Sequence, residues 1–173
     1  AASELATSAF TAQLVAAASI PAIPDRGYFG ITMRILAIDP GEKHLGIAIS
    51  DPTGTIANPL TVINHVARPV DAATIASLAQ EHGASLIIVG QALDDEGQPT
   101  AQSRRAVRLA EAIRLQSSLP VQLWDESGST QAARQARIAM GVSRRMRRGH
   151  LDDLAATVIL QSFLDSHHAP PSF

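Results

Sequence analysis

Residues 35–50 read ILAIDPGEKHLGIAIS, two short apolar runs on either side of a Pro-Gly turn, with the carboxylate of Asp39 closing the first run. Short runs rich in isoleucine predict strands over 34–39 and 45–50, and PGEKH has the punctuation and length of a hairpin connection. A third strand follows near Pro59 to Asn64. Val70, Ala73, Ile75, Leu78 and Ala79 recur at helical spacing, so 70–82 reads as a helix that stops at His82-Gly83. SLIIVG, residues 85–90, is the continuous apolar run of a central parallel strand, covered on both faces. Residues 101–116 are helical in pattern, and Leu119 to Trp124 forms a last short strand. Two more helices are expected near Ser129 to Met140 and Leu151 to Asp165, the latter with a stripe of Leu151, Leu154, Ala155, Val158 and Ile159. The order βββαβαβα with an extra helix describes an α/β domain opened by a hairpin, not the uniform βαβ alternation of a doubly wound nucleotide fold.

A chain of 173 residues with 46% hydrophobic content has enough material for one core. Cysteine is absent, which rules out disulfides and thiolate metal sites and leaves oxygen or imidazole as ligands. No apolar run approaches the ~20 residues that span a bilayer. Residues 1–32, rich in Ala and Ser, give way abruptly to Met33-Arg34-Ile35-Leu36 and read as a flexible leader without a catalytic role. Residues 166–173 read as a flexible tail, leaving 33–165 as the domain. The formal charge of −2 conceals an asymmetry. Four basic and ten acidic residues lie in 1–100, whereas 101–150 holds ten basic and three acidic. A basic region of that size within one domain points to a polyanionic partner.

Three sets of carboxylates fall at element ends, where an open α/β sheet places its ligand crevice. Asp39 ends the first strand, Asp125 and Glu126 follow the strand ending at Trp124, and Asp152 and Asp153 open the last helix. If that helix docks at the carboxyl ends of the strands, acids from three distant segments meet. Converging carboxylates repel one another unless a cation lies between them. A hard oxygen donor set without cysteine or paired histidines selects Mg²⁺ or Mn²⁺, and a pair of such ions serves in-line attack on a phosphodiester. Each acid alone also has an ordinary structural explanation. Asp39 before Pro-Gly is turn chemistry, and the other acids suit helix first turns. Their joint occurrence beside a basic segment is what favours a site.

That segment, GVSRRMRRGH, supplies Arg144, Arg145, Arg147 and Arg148, and with Arg134 and Arg137 it leaves no acid between Ser127 and His150. Guanidinium forks suit phosphate oxygens and would hold a nucleic-acid backbone in register. Arg104, Arg105 and Arg108 share a helix face that would widen the patch. His44 and His150 are the two histidines near the expected site, with proton transfer or phosphate contact as their candidate roles.

At these residues the chain resembles a known family, the ribonuclease H-like pre-16S rRNA nucleases, also called Holliday junction resolvase-like proteins. The resemblance runs from Met33 to about Asp165. MRILAIDPGEKHLGIAISDPTG is similar to the family's opening D-x-G-x-K-R-x-G-x-A-x-S-D, and GVSRRMRRGHLDDLAATVILQSFLD to its closing basic loop and D-x-L-A-A-x-x-I-L-Q helix. Two middle motifs depart. Gly90-Gln91-Ala92-Leu93 stands where the family has G-L-P, and Asp125-Glu126-Ser127-Gly128-Ser129-Thr130 where it has D-E-R-x-T-T, so one presumed phosphate-binding arginine is missing.

The resemblance implies a mixed five-stranded ribonuclease H-like sheet opened by an antiparallel hairpin meander and flanked by helices. Its metal-site acids fall on Asp39, on the pair Asp125-Glu126 with a lean to Glu126, and on Asp152, with Asp39, Glu126 and Asp152 as the catalytic set. Lys43 matches a basic position in the hairpin loop, where it and the arginines of 144–148 would contact phosphate; His44 stands where arginine is usual. The implied protein is a cytoplasmic monomer or homodimer that uses Mg²⁺ or Mn²⁺ to hydrolyse the 5′ end of precursor 16S rRNA. Two alternatives stay open: a junction resolvase acting on branched DNA, and a non-catalytic RNA-binding ribosome-assembly factor.

Overall fold

The computed structural model describes residues 33–94, 96–125 and 151–168. The expected helix at 129–140 lies outside these residues, as do the leader at 1–32, Glu126 and the basic loop. The elements in chain order are β1 (Arg34–Pro40), β2 (His44–Ser50), β3 (Ala57–Asn64), α1 (Arg68–Glu81), β4 (Ala84–Gln91), α2 (Ala101–Gln116), β5 (Val121–Asp125) and α3 (Leu151–His168). The strands form a five-stranded sheet in the order β3-β2-β1-β4-β5. The β1/β2 and β2/β3 pairs are antiparallel, and β1/β4 and β4/β5 are parallel. This mixed sheet opened by a meander is the ribonuclease H-like arrangement that the resemblance implies.

Period-two alternation divides the strands between two layers. Leu36 and Ile38 of β1, Leu45, Ile47 and Ile49 of β2, and Ile87 and Val89 of β4 join Ala72, Ile75 and Ala79 of α1 and Ala106, Leu109, Ala110 and Ile113 of α2 in one cluster. The other face, with Ile35, Ala37, Ala48, Leu86 and Ile88 buried on it, is covered by α3, which packs on β1, β2 and β3. Cover on both faces explains why β4 reads as an unbroken apolar run. Burial of these side chains at roughly 1.5–3 kcal/mol each dominates the stabilisation.

Several boundaries move for physical reasons. The third strand begins at Ala57, two residues before the expected start at Pro59, because β3 lies at the sheet's edge and tolerates a residue without an N–H. Its pairing slips between Ile47 and Ala48, leaving Leu60 as the extra residue beside Pro59. α1 ends as expected, with Gly83 at φ 66°, His82 N–H donating to Leu78 O and Gly83 N–H to Gln80 O. That left-handed stop favours glycine.

The stripe expected on α3 is rotated. Its fully buried residues among those described are Ala156, Ile159, Leu160, Phe163 and Leu164; of the expected stripe Ile159 is among them, Leu154, Ala155 and Val158 are half-buried, and the Leu151 side chain lies outside the description. The helix is apolar on more than one side, so spacing alone did not fix which side faces the sheet. α3 also runs past Asp165 to His168, into the expected tail. Ser166 Oγ donates to Phe163 O at 2.7 Å, and the His167 ring lies 4.1 Å from that of Phe163. These contacts hold the extra turn.

Candidate active site

Asp39 stands one residue before the end of β1 and is half-buried. It shares its parity with Ile35 and Ala37, which puts it on the face that α3 covers. Its antiparallel neighbour on β2 is Gly46. On β4 the register pairs Ile38 with Val89, so the next residue along, Gly90, comes level with Asp39. Both flanking positions therefore lack side chains beside the Asp39 carboxylate, and both glycines are buried. Beyond Gly90 the next strand places Trp124, about 10 Å across two strand spacings.

The hairpin turn beyond Asp39 is rigid. Gly41 N–H donates to Asp39 O at 3.0 Å, and a Cβ on Gly41 would lie 2.1 Å from the carbonyl oxygen of His44, so no larger residue fits. Lys43 is exposed in this turn, and its carbonyl accepts from His65 N–H at 2.8 Å, tying the turn to the end of β3. His44 is occupied: Nδ1 lies 2.9 Å from Asn64 Oδ1, its cross-strand partner, and as the amide oxygen accepts, the ring donates. The candidate proton carrier is thus turned toward β3.

Asp125 is exposed at the end of β5 and pairs with Gln91. It shares its parity with Val121 and Leu123, which belong to the α1/α2 layer, so it faces away from the side on which Asp39 stands. Trp124 faces α3 instead: its ring meets Phe163 edge-on at 5.1 Å. Its indole nitrogen is buried and has no hydrogen-bond partner among the described residues. Asp152 lies in the first turn of α3, the helix that packs on the Asp39 face. Glu126 and the arginines 144, 145, 147 and 148 lie outside the described residues. Among the described residues no three acids or histidines form a group able to hold a metal ion. What the described part does supply is an oxygen donor, the half-buried Asp39, and that chemistry fits a hard divalent cation.

Two residues with structural roles passed unassigned in the sequence. Asp51, which closes the opening motif, accepts at one carboxylate oxygen from Thr55 N–H (2.7 Å) and Ile56 N–H (2.8 Å), and at the other from Thr53 N–H (3.1 Å) and the Thr53 hydroxyl. Partial burial pushes its carboxyl upward, but these bonds outweigh it and hold the pKa at about 2. Gln161, from the closing motif, accepts from Ala57 N–H at 2.9 Å and donates to Thr55 O at 3.1 Å, fastening α3 to the same loop. The D-x-T-x-T spacing of residues 51–55 was the available signal for an Asx-type turn.

Comparison with known proteins adds identity to this geometry. The family model RuvX, described as Holliday junction resolvase, matches residues 33–166. A protein of Syntrophus aciditrophicus named "Putative pre-16S rRNA nuclease" is 38% identical over 134 residues, 78% of this chain and 89% of its own. One of the same name from Pelotomaculum thermopropionicum is 39% identical over 140 residues, 80% of this chain and 90% of its own. Among solved structures, T. thermophilus RuvC in complex with a Holliday junction substrate is similar with a TM-score of 0.49 at 16% identity, over 78% of this chain and 95% of that one.

Proposed function

Because this chain belongs to the RuvX family, we propose that it is a nuclease that hydrolyses phosphodiester bonds and that its substrate is the 5′ end of precursor 16S rRNA. The names of its relatives favour rRNA over a branched DNA junction. The observation that carries the site is the placement of Asp39: a carboxylate at the carboxyl end of a parallel strand, on the face covered by the helix that bears Asp152, with glycine on both sides. Alternation supports Glu126 over Asp125 as the second acid, since Asp125 faces the α1/α2 layer.

In this reading Asp39, Glu126 and Asp152 hold Mg²⁺ or Mn²⁺, and the ion supplies charge neutralisation at the phosphate and a more acidic water. The protein's own contribution is positional. The tight turn at Gly41 fixes the end of β1, and Lys43 with the arginines of 144–148 holds the strand. The reaction takes place in the cytoplasm, where rRNA is processed. Cleavage of a precursor 16S rRNA fragment and a four-way DNA junction, measured side by side with Mg²⁺, tests the reading. Asp39→Asn, Glu126→Gln and Asp152→Asn should each abolish turnover of the RNA. Retained cleavage in all three folded variants overturns the site, and preference for the junction overturns the substrate.

A further inference from the structure

On the opposite face of the sheet from Asp39, beneath the same hairpin turn, a cleft opens between α1 and α2. Its charged lining is Glu42 from the turn, His65 and Asp71, and two arginines, Arg68 from the first turn of α1 and Arg105 from α2. Asp71 is 3% exposed and fully committed: one oxygen takes His65 Nδ1–H at 2.5 Å and the other Val66 N–H at 3.1 Å. That is the one ion pair among the described residues.

The described arginines fall into two kinds. Arg104 donates to Pro99 O at 2.9 Å and Arg114 to Val121 O at 2.8 Å, both serving the backbone. The side chains of Arg34, Arg68, Arg105 and Arg108 have no hydrogen-bond or ion-pair partner among the described residues, and of these Arg68 and Arg105 line the cleft, together with Glu42 and Asp71. Neither guanidinium is engaged by the carboxylates of the lining, so both forks are available to phosphate oxygens.

We propose that this cleft is a second phosphate-binding subsite, in which Arg68 and Arg105 together hold one phosphate of a nucleic-acid strand that passes over the hairpin turn toward Asp39. The proposal rests on the nuclease reading and extends it to the far side of the sheet. Lys43, exposed in the turn between the two faces, lies on the route. His65, oriented by Asp71, walls the cleft between the turn and α1.

The test uses the full chain and a 3′-fluorescein single-stranded RNA, with either a 5′-phosphate or a 5′-hydroxyl, in EDTA so that binding is read without cleavage. For the Arg68→Gln/Arg105→Gln double variant, Kd should rise roughly tenfold at low salt, and the slope of log K against log salt should fall by about 0.7, one phosphate contact on a single strand. The Lys pair, Arg68→Lys/Arg105→Lys, should keep the slope and lose part of the affinity, since charge survives and the fork does not. Arg114→Gln, at an arginine that serves only Val121 O, should bind as the wild type does. If the double variant removes only an advantage of the 5′-phosphate, the phosphate held is a terminal one; equal loss with both RNAs makes it an internal phosphodiester. Unchanged Kd and slope in the double variant, alongside wild-type cleavage in Mg²⁺, overturns the subsite alone. A wild type that neither binds nor cleaves RNA overturns the nuclease reading and the subsite with it.

Discussion

The β1–β2 hairpin carries an aspartate at each end of the sheet, and the two are used in opposite ways. Asp51 follows β2 and is surrounded by donors: three backbone N–H groups and a hydroxyl point at its carboxylate, closing the loop to β3. Ser50 beside it is buried, takes Ile35 N–H at 2.9 Å and binds β1 to the same corner. Asp39, twelve residues earlier in the same motif, stands between two glycines on the neighbouring strands. The Asp51 carboxylate, wrapped in backbone donors, does structural work, whereas Asp39 is the acid proposed for the site. On the proposed reading, the single motif encodes an acid of the site and, at the other end of the same two strands, the corner that holds its scaffold.

This contrast predicts opposite signatures for two substitutions of one residue type. Asp39→Asn should lower Mg²⁺-dependent cleavage by at least ~10²-fold, the several kcal/mol that charge stabilisation at a phosphoryl centre supplies, with the melting temperature close to that of the wild type. Asp51→Ala should do the reverse: a loss of about 1–2 kcal/mol, the usual cost of removing an Asp cap, read as a melting point several degrees lower, with an unchanged rate per folded molecule. An Asp51→Ala enzyme that is stable and inactive would break the comparison.

Acid sharpens it. Asp51 is held at about 2 against an ordinary 3.8, so the folded state favours its charged form. The stability this supplies is complete above the ordinary value and disappears as pH falls from there toward 2. Urea unfolding followed by circular dichroism at pH 5, 3.5 and 2.5 should show the wild type losing stability faster than Asp51→Asn. Parallel curves would mean that the loop bonds do not depend on the charge.

The legibility of this molecule in its sequence follows the same division. The hairpin, the buried central strand and both described crossover helices were readable because periodicity, Pro-Gly punctuation and the His82-Gly83 stop all act locally. Asp39 was readable as a site because a carboxylate at a strand end before Pro-Gly is a local pattern, and the family resemblance gave it partners. The placement of Asp39 between two glycines was not readable. It depends on register across three strands, which brings Gly46 and Gly90 level with a residue in β1. The rotation of α3 was missed because an apolar helix has no single stripe for spacing to find. The cleft with Arg68 and Arg105 was missed for a related reason: the arginines are far apart in sequence, and only the packing of α1 on α2 brings them together.

The smallest effect joins the two halves of the comparison. Gln161 reaches from α3 to both Ala57 N–H and Thr55 O, at the loop that Asp51 closes, so Gln161→Ala should cost about 1 kcal/mol. Its amide also donates to Asp165 at 2.9 Å. Gln161→Glu keeps the acceptor for Ala57, loses the donor to Thr55 and sets a second negative charge beside Asp165, so it should destabilise more at pH 7 than at pH 4. Because Asp51 and Gln161 order the same six-residue loop, their double variant should depart from additivity by roughly 0.5–1 kcal/mol, whereas Asp39→Asn combined with Gln161→Ala should add. Chemical denaturation of the four variants in each cycle measures both couplings. Coupling between Asp39 and Gln161 as large as that between Asp51 and Gln161 would show that the two ends of the hairpin are one energetic unit, and that the division into site and scaffold drawn from the hydrogen bonds is wrong.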